Sequence, residues 1–214
     1  IKEYNKKNKI SINLFLIYNL IINIILDIIM HHLGTFNLET DRLILRKFKI
    51  EDATDMYNNW ASDNEVTKYL SWKTHLNIEE TKEIIKSWIE NYYKSDFYQW
   101  AIILKENNQA IGSISVVKND DSIEMVHIGY CISKKYWNKG ITSEAFERII
   151  KFFFEEVKVN RIEAVHNEKN IYSGKVMLKC KLKKEGILRD ALKDNSGITD
   201  CLIYSILKRE YFYK

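Results

Sequence analysis

The sequence predicts an α+β fold built on a largely antiparallel sheet, and three observations carry that reading. Seven short apolar runs have the length and β-branched content of strands, and four longer runs repeat apolar residues at helical spacing. Three of the strand runs follow one another across four-residue turn clusters, too tight for anything but an antiparallel meander. The order is β-α-α-β-β-β-α-β-α-β-β, a single domain with one strand–helix–strand unit at its centre.

Arg42 to Phe48 opens the pattern as a strand. Glu51 to Ala61 reads as a helix through Ala53, Met56, Tyr57 and Trp60. Asn77 to Tyr93 reads as a second, with Glu79 and Glu80 at its positive end and Ile85, Trp88, Ile89 and Tyr92 inward. The meander is Tyr98–Lys105, Ala110–Lys118 and Ile123–Ile132, with turns at Glu106–Gln109 and Asn119–Ser122. A helix from about Gly140 to Val157 carries the apolar stripe Phe146, Ile149, Ile150, Phe153, Phe154 and Val157. Strand Arg161–Asn167, helix Asn170–Cys180 and the hairpin Leu182–Arg189 and Ile198–Leu207 complete the set.

Composition narrows the function. The 214 residues suit one well-buried core, and 46% hydrophobic with 29% charged residues is the balance of a soluble globular chain. A net charge of +4, spread evenly, gives no nucleic-acid footprint. Cys131, Cys180 and Cys201 are odd in number and widely spaced, as expected of reduced thiols in a cytoplasmic protein. The five histidines have no metal-ligand spacing, so no metal is expected.

Residues 1–29 stand apart from the domain of residues 30–214. The run 10–30 is mostly apolar and follows Lys6, Lys7 and Lys9. Its length suits a membrane span, yet Asn13, Asn19, Asn23 and Asp27 fall within about 120° on a helical wheel, which suits an interfacial helix better. The first methionine is Met30, and translated upstream sequence explains the extension more simply than an anchor. Membrane contact is expected only if these residues belong to the native protein.

The stretch KKYWNKGITSEAF, residues 134–146, places three lysines around Gly140 where a strand gives way to a helix. Backbone N–H groups at such a junction cradle anions, and a diphosphate is the natural guest. On its own the stretch also reads as a solvated turn.

Several segments, taken in order, resemble the GNAT superfamily of N-acetyltransferases, within it the RimJ/RimL-like group. They are Trp100-Ala101-Ile102, Ile111-Gly112-Ser113-Ile114, Ile128-Gly129-Tyr130, Tyr136 to Ile141, Asn170 to Ser173 and Val176-Met177, in a chain similar to the group from Leu38 to Leu207. The resemblance implies a sheet of about seven strands with a splayed central parallel pair, flanked by about four helices. It implies acetyl-CoA as co-substrate, its pantetheine between Ile123–Ile132 (contacts at Ile128, Gly129, Tyr130, Cys131 and Ile132) and Arg161–Asn167. The pyrophosphate is then expected on Trp137, Asn138, Lys139, Gly140, Ile141, Thr142 and Ser143, with Asn170 and Ser173 on the thiol side. The acceptor implied is a primary amine, on a protein N-terminus or a small molecule, in a monomer or homodimer.

Acyl transfer to an amine needs a base, an oxyanion donor and a thiolate that can leave. Glu124 and His127 are the candidate bases, and in a regular strand they point to opposite faces. His127 stands where the group commonly has an acid; its other reading is a half-buried, hydrogen-bonded strand residue. Ser173 is the candidate proton donor to sulfur, or else a capping hydroxyl. Met177 occupies the place of a tyrosine common in the superfamily. At the places of its phosphate motif stand Trp137, Gly140 and Thr142, of which Trp137 and Thr142 depart from it, Asn138 stands where a glycine is frequent, and Lys181 replaces a helix-ending glycine. Trp60, Glu65, Tyr69, Trp72, Tyr98 and Asp200 are candidate acceptor walls. A silent acyl-CoA-binding domain, or an enzyme acting on an aminoglycoside or polyamine, are the rival readings.

Overall fold

The computed structural model describes residues 30–213 together with Ile17 and Tyr18. The expected extension 1–29 therefore lies, but for that pair, outside the described residues. Among the described residues no helix is long and apolar enough to cross a membrane.

Eight strands form one sheet: β1 (Leu38–Glu39), β2 (Leu43–Arg46), β3 (Gln99–Leu104), β4 (Gln109–Asp120), β5 (Met125–Ile132), β6 (Arg161–Asn167), β7 (Lys183–Asp194) and β8 (Gly197–Leu207), in the spatial order β1-β2-β3-β4-β5-β6-β8-β7. The strand beyond the expected seven is β1, two residues that fold back on β2 (Leu38 opposite Leu45). Such a stub has no periodicity to betray it. Every pairing is antiparallel except β5 with β6.

The helices are α1 (Ala53–Met56), which widens into a π turn over Tyr57–Ala61, α2 (Asn64–Thr67), α3 (Ile78–Asn91), α4 (Ile141–Phe152), α5 (Ile171–Lys179) and α6 (Lys208–Phe212). Asn77 starts α3 by accepting from the Glu80 N–H. Leu43, Leu45, Trp100, Ile102, Val126, Ile128, Ile162 and Ala164 pack beneath α4 with Phe146, Ile149 and Phe153. On the other face, Phe48, Met56, Trp60, Ile85, Ala101 and Ile103 form a second core. The strands thus alternate cleanly between two covered faces.

That alternation corrects two expected acceptor walls. Trp60 is fully buried in the second core, and Tyr98 faces the α4 side, where its hydroxyl takes the Leu33 N–H at 3.0 Å. Both aromatics are core residues.

Candidate active site

The parallel pair holds for only three residues: Met125 opposite Arg161, Val126 opposite Ile162 and His127 opposite Glu163. Beyond that point β5 continues to Ile132 and β6 to Asn167 without pairing to each other. Alternate backbone groups of Ile128–Ile132 therefore face a wedge-shaped gap rather than a strand, an edge that an extended ligand can pair with. The two cavities that stand out elsewhere, of about 480 and 570 Å³, border residues 33–37 with 92–95, and the α6 region. Neither adjoins this gap.

At the β6 side of the open end, side chains tie neighbouring elements together. Asn167 donates to Asp194 at 2.7 Å, and the next residue of the β7–β8 tip, Asn195, donates to the carbonyls of Thr67 and Trp72 at 2.9 and 2.7 Å. The hairpin tip thus ties β6 to the loop after α2. Of the remaining wall candidates, Glu65 is ion-paired with Lys134, and Asp200 accepts the Asp190 N–H at 2.9 Å.

At the mouth of the gap the chain turns into α4 exactly through the lysine-flanked stretch, with Lys134–Tyr136 as a 3-10 turn. Asn138 has φ +59° and Gly140 φ +73°, both left-handed. Asn is among the side chains that tolerate that region best, so the departure at 138 is accommodated. Gly140 supplies no side chain to cap α4, and the first N–H with a backbone acceptor behind it is that of Glu144, bonded to the Gly140 carbonyl at 3.1 Å. The leading N–H groups of the helix are left for a guest.

The lysines of the stretch have partners of their own, and other cations stand beside them. Lys134 is paired with Glu65, and Lys135 and Lys139 lie over the Tyr136 ring at 5.7 and 5.4 Å. Two cations from other elements approach Gly140: the terminal nitrogens of Lys179 and Arg42 lie 3.3 and 3.8 Å from where a Cβ on that glycine would stand. Arg42 also donates to the Lys139 carbonyl at 3.1 Å and to Glu144 at 2.6 Å. Burial works against the Glu144 carboxylate, but hydrogen bonds from Thr40 and Arg42 outweigh it and hold its pKa below the ordinary value.

On the far wall, Asn170 caps α5 by accepting from the Ser173 N–H. Capping therefore falls to Asn170, and the Ser173 hydroxyl instead meets the Tyr130 hydroxyl at 3.0 Å. Tyr130 also donates to the Ser173 carbonyl at 3.0 Å, and burial pushes its pKa up. Having one proton to give, the phenol leaves Ser173 as donor in the hydroxyl pair. Beneath the same turn, the buried His166 gives its Nδ1 proton to the Asn167 carbonyl at 2.8 Å, and burial lowers its pKa. A Cβ on Gly174 would lie 2.6 Å from its Nε2, so only glycine fits there.

The two candidate bases separate. Glu124 does not belong to β5: it sits at φ +52° in the turn before it, its carbonyl accepting the Asn160 and Arg161 N–H groups. That is the closed end of the pair, reached before the gap begins. His127 lies where the strands part, on the face away from α4, and its Nδ1 is 3.2 Å from Glu163 Oε1. Cys131, also on that face, is 3.3 Å from the Ser113 hydroxyl, and burial raises its pKa, as it raises that of Cys180 to about 12. Both are protonated thiols. Among the described residues no cluster of three or more His, Cys, Asp or Glu could hold a metal ion.

Three residues of this site escape sequence reasoning: Glu163, Arg42 and the side chain of Tyr130. Each acts through a partner distant in the chain, and no local spacing signals that.

Comparison with known proteins agrees with this geometry. The model of the acetyltransferase (GNAT) domain matches residues 42–183. The uncharacterized N-acetyltransferase p20 of Bacillus licheniformis is 34% identical over 174 residues, which is 81% of this chain and 97% of that protein. The crystal structure of a GNAT-family acetyltransferase from Bacillus anthracis superposes with a TM-score of 0.72 at 28% identity, over 82% of this chain and all of that one. The ribosomal L7/L12 alpha-N-protein acetyltransferase RimL, solved with coenzyme A, shares the fold at a TM-score of 0.72 and 16% identity, over 80% of this chain and 98% of that one. With a splayed parallel pair, an uncapped helix at its mouth and relatives of this kind, the chain belongs to the GNAT family of N-acetyltransferases.

Proposed function

We propose that the protein transfers the acetyl group of acetyl-CoA to a primary amine by direct attack, and that the acceptor is a protein N-terminus or a small molecule. The observation that carries the reading is the gap between Ile128–Ile132 and 164–167, which runs from His127 at its apex to the uncapped start of α4. Pantetheine fits as a short strand along β5, with the pyrophosphate on the backbone of residues 137–143 and the thiol end toward Asn170 and Ser173. RimL, bound to coenzyme A and named for a protein N-terminus, supports both the cofactor and the acceptor class.

In this reading His127 takes a proton from the amine, and the freed nitrogen attacks the thioester carbonyl. The N–C bond forms, the C–S bond breaks, and the sulfur leaves as a thiolate that turns to accept a hydrogen bond from the Ser173 hydroxyl and takes its proton from water. A backbone N–H near the end of β5 polarises the carbonyl. The protonated thiols of Cys131, which meets the Ser113 hydroxyl, and of the buried Cys180 argue against an acetyl-enzyme.

The test is thiol release from acetyl-CoA by the full chain across a panel of N-terminal peptides, polyamines and aminoglycosides. Release above blank with one class identifies the acceptor. Tight binding of acetyl-CoA with no release for any amine would make the protein a silent acyl-CoA-binding domain.

A further inference from the structure

We infer that Glu163 is the positioning residue of the reaction, fixing the His127 imidazole with its proton on Nδ1 so that Nε2 is the nitrogen presented to the amine. This rests on the reading of His127 as the base. The two residues are direct partners in the parallel register, on the same face, and both side chains are only 15% exposed. At 3.2 Å from Oε1, Nδ1 faces an acceptor and nothing that donates, so the proton belongs on Nδ1. A carboxylate so placed also stabilises the imidazolium formed when Nε2 takes the amine proton, without being protonated itself.

Glu163 is in turn held from behind. Arg161 donates to its Oε2 at 3.0 Å while its other nitrogens grip Glu185 at 2.9 and 2.6 Å, and Ser205 on β8 donates to Glu185. The hydrogen bond from His127 comes first among the causes, before Arg161, that keep the Glu163 carboxylate ionised below its usual range. The charged groups around the imidazole are thus Glu163 and Arg161 from β6, Glu185 from β7, and Lys118, its exposed partner on β4. Glu163 is the one that bonds it. An acid at position 127, usual in the group that this chain resembles, would meet Glu163 as a like charge; a histidine turns the same neighbour into a partner.

The tautomer is testable without any substrate. Long-range ¹H–¹⁵N spectra of the full chain labelled at histidine, with His127 assigned by His127→Gln, are expected to show neutral His127 protonated on Nδ1. A proton on Nε2 would overturn the inference. In kinetics, using an amine that gives thiol release, Glu163→Gln is expected to lower the plateau rate ~10-fold and to move the acid limb of the pH–rate profile to lower pH by about one unit. Glu163→Asp, which keeps the charge, is expected to return the limb toward its wild-type position. A purely structural role would change stability and rate but leave the limb in place, and that result would contradict the inference. His127→Ala with wild-type activity defeats the base reading and this inference together. An inactive His127→Ala beside an unmoved limb in Glu163→Gln defeats Glu163 alone.

Discussion

The hydroxyl groups of Tyr130 and Ser173 meet 3.0 Å apart, joining β5 to the first turn of α5 across the gap that their strands leave open. The pair ties the Ser173 side chain to the wall opposite its own helix. Ser173→Ala is expected to lower kcat about 10-fold with little change in acetyl-CoA affinity, because the hydrogen bond to sulfur is needed only as the bond breaks. Tyr130→Phe loses the bond to the Ser173 carbonyl and should cost about 1 kcal/mol, read as a fall in Tm of about 2–4 °C.

Arg42 braces the turn proposed to receive the pyrophosphate, whereas Lys135 rests over Tyr136. Arg42→Ala is therefore expected to weaken coenzyme A binding roughly tenfold in calorimetry, and Lys135→Ala less than about twofold. Equal losses from the two would return the lysines to the role that the sequence suggests for them.

Lys181 follows α5 at φ +68°, with its N–H on the Leu178 carbonyl and that of Leu182 on the Met177 carbonyl, both at 3.0 Å. This is a Schellman ending with a lysine at the left-handed position. Lys181→Gly relieves the crowding of its Cβ and is expected to stabilise the fold by about 1 kcal/mol in urea unfolding. An unchanged midpoint would show that the lysine is not strained there.

Acid unfolding has a visible contributor in Glu185, whose carboxyl Arg161, then Ser205, pull down from 4.5 to about 2. A carboxylate with a depressed folded-state pKa stabilises above the unfolded value and loses that contribution as pH falls through the folded one. The loss is thus expected between about pH 4.5 and 2. Glu185→Gln should flatten the pH dependence of Tm in that window and leave the slope above it unchanged.

Much of the fold is legible because it is local. Period-2 runs give the meander, the apolar stripe of α4 gives its inner face, and the turn clusters give the antiparallel order. The left-handed Asn138 and Lys181 are anticipated too, since each stands where a glycine is frequent. What the sequence hides is set by register. That His127 lies opposite Glu163, while Glu124 drops out of β5 into a turn, depends on which residues of two parallel strands align, and on a bulge in β4 between Val116 and Lys118. Likewise Arg42, 97 residues before Lys139, reaches the loop only because β2 begins beside it. Charge near a motif in sequence proves a poor guide to charge near it in space.

The claim on which the rest depends is that acetyl-CoA occupies the gap between β5 and β6. Titration of the ¹⁵N-labelled full chain with coenzyme A tests it directly. The amide signals of Ile128–Ile132, of residues 137–143, and of Asn170 and Ser173 are expected to move together at one saturable site. Shifts confined to residues 33–37 and 92–95, or the absence of binding, would contradict it.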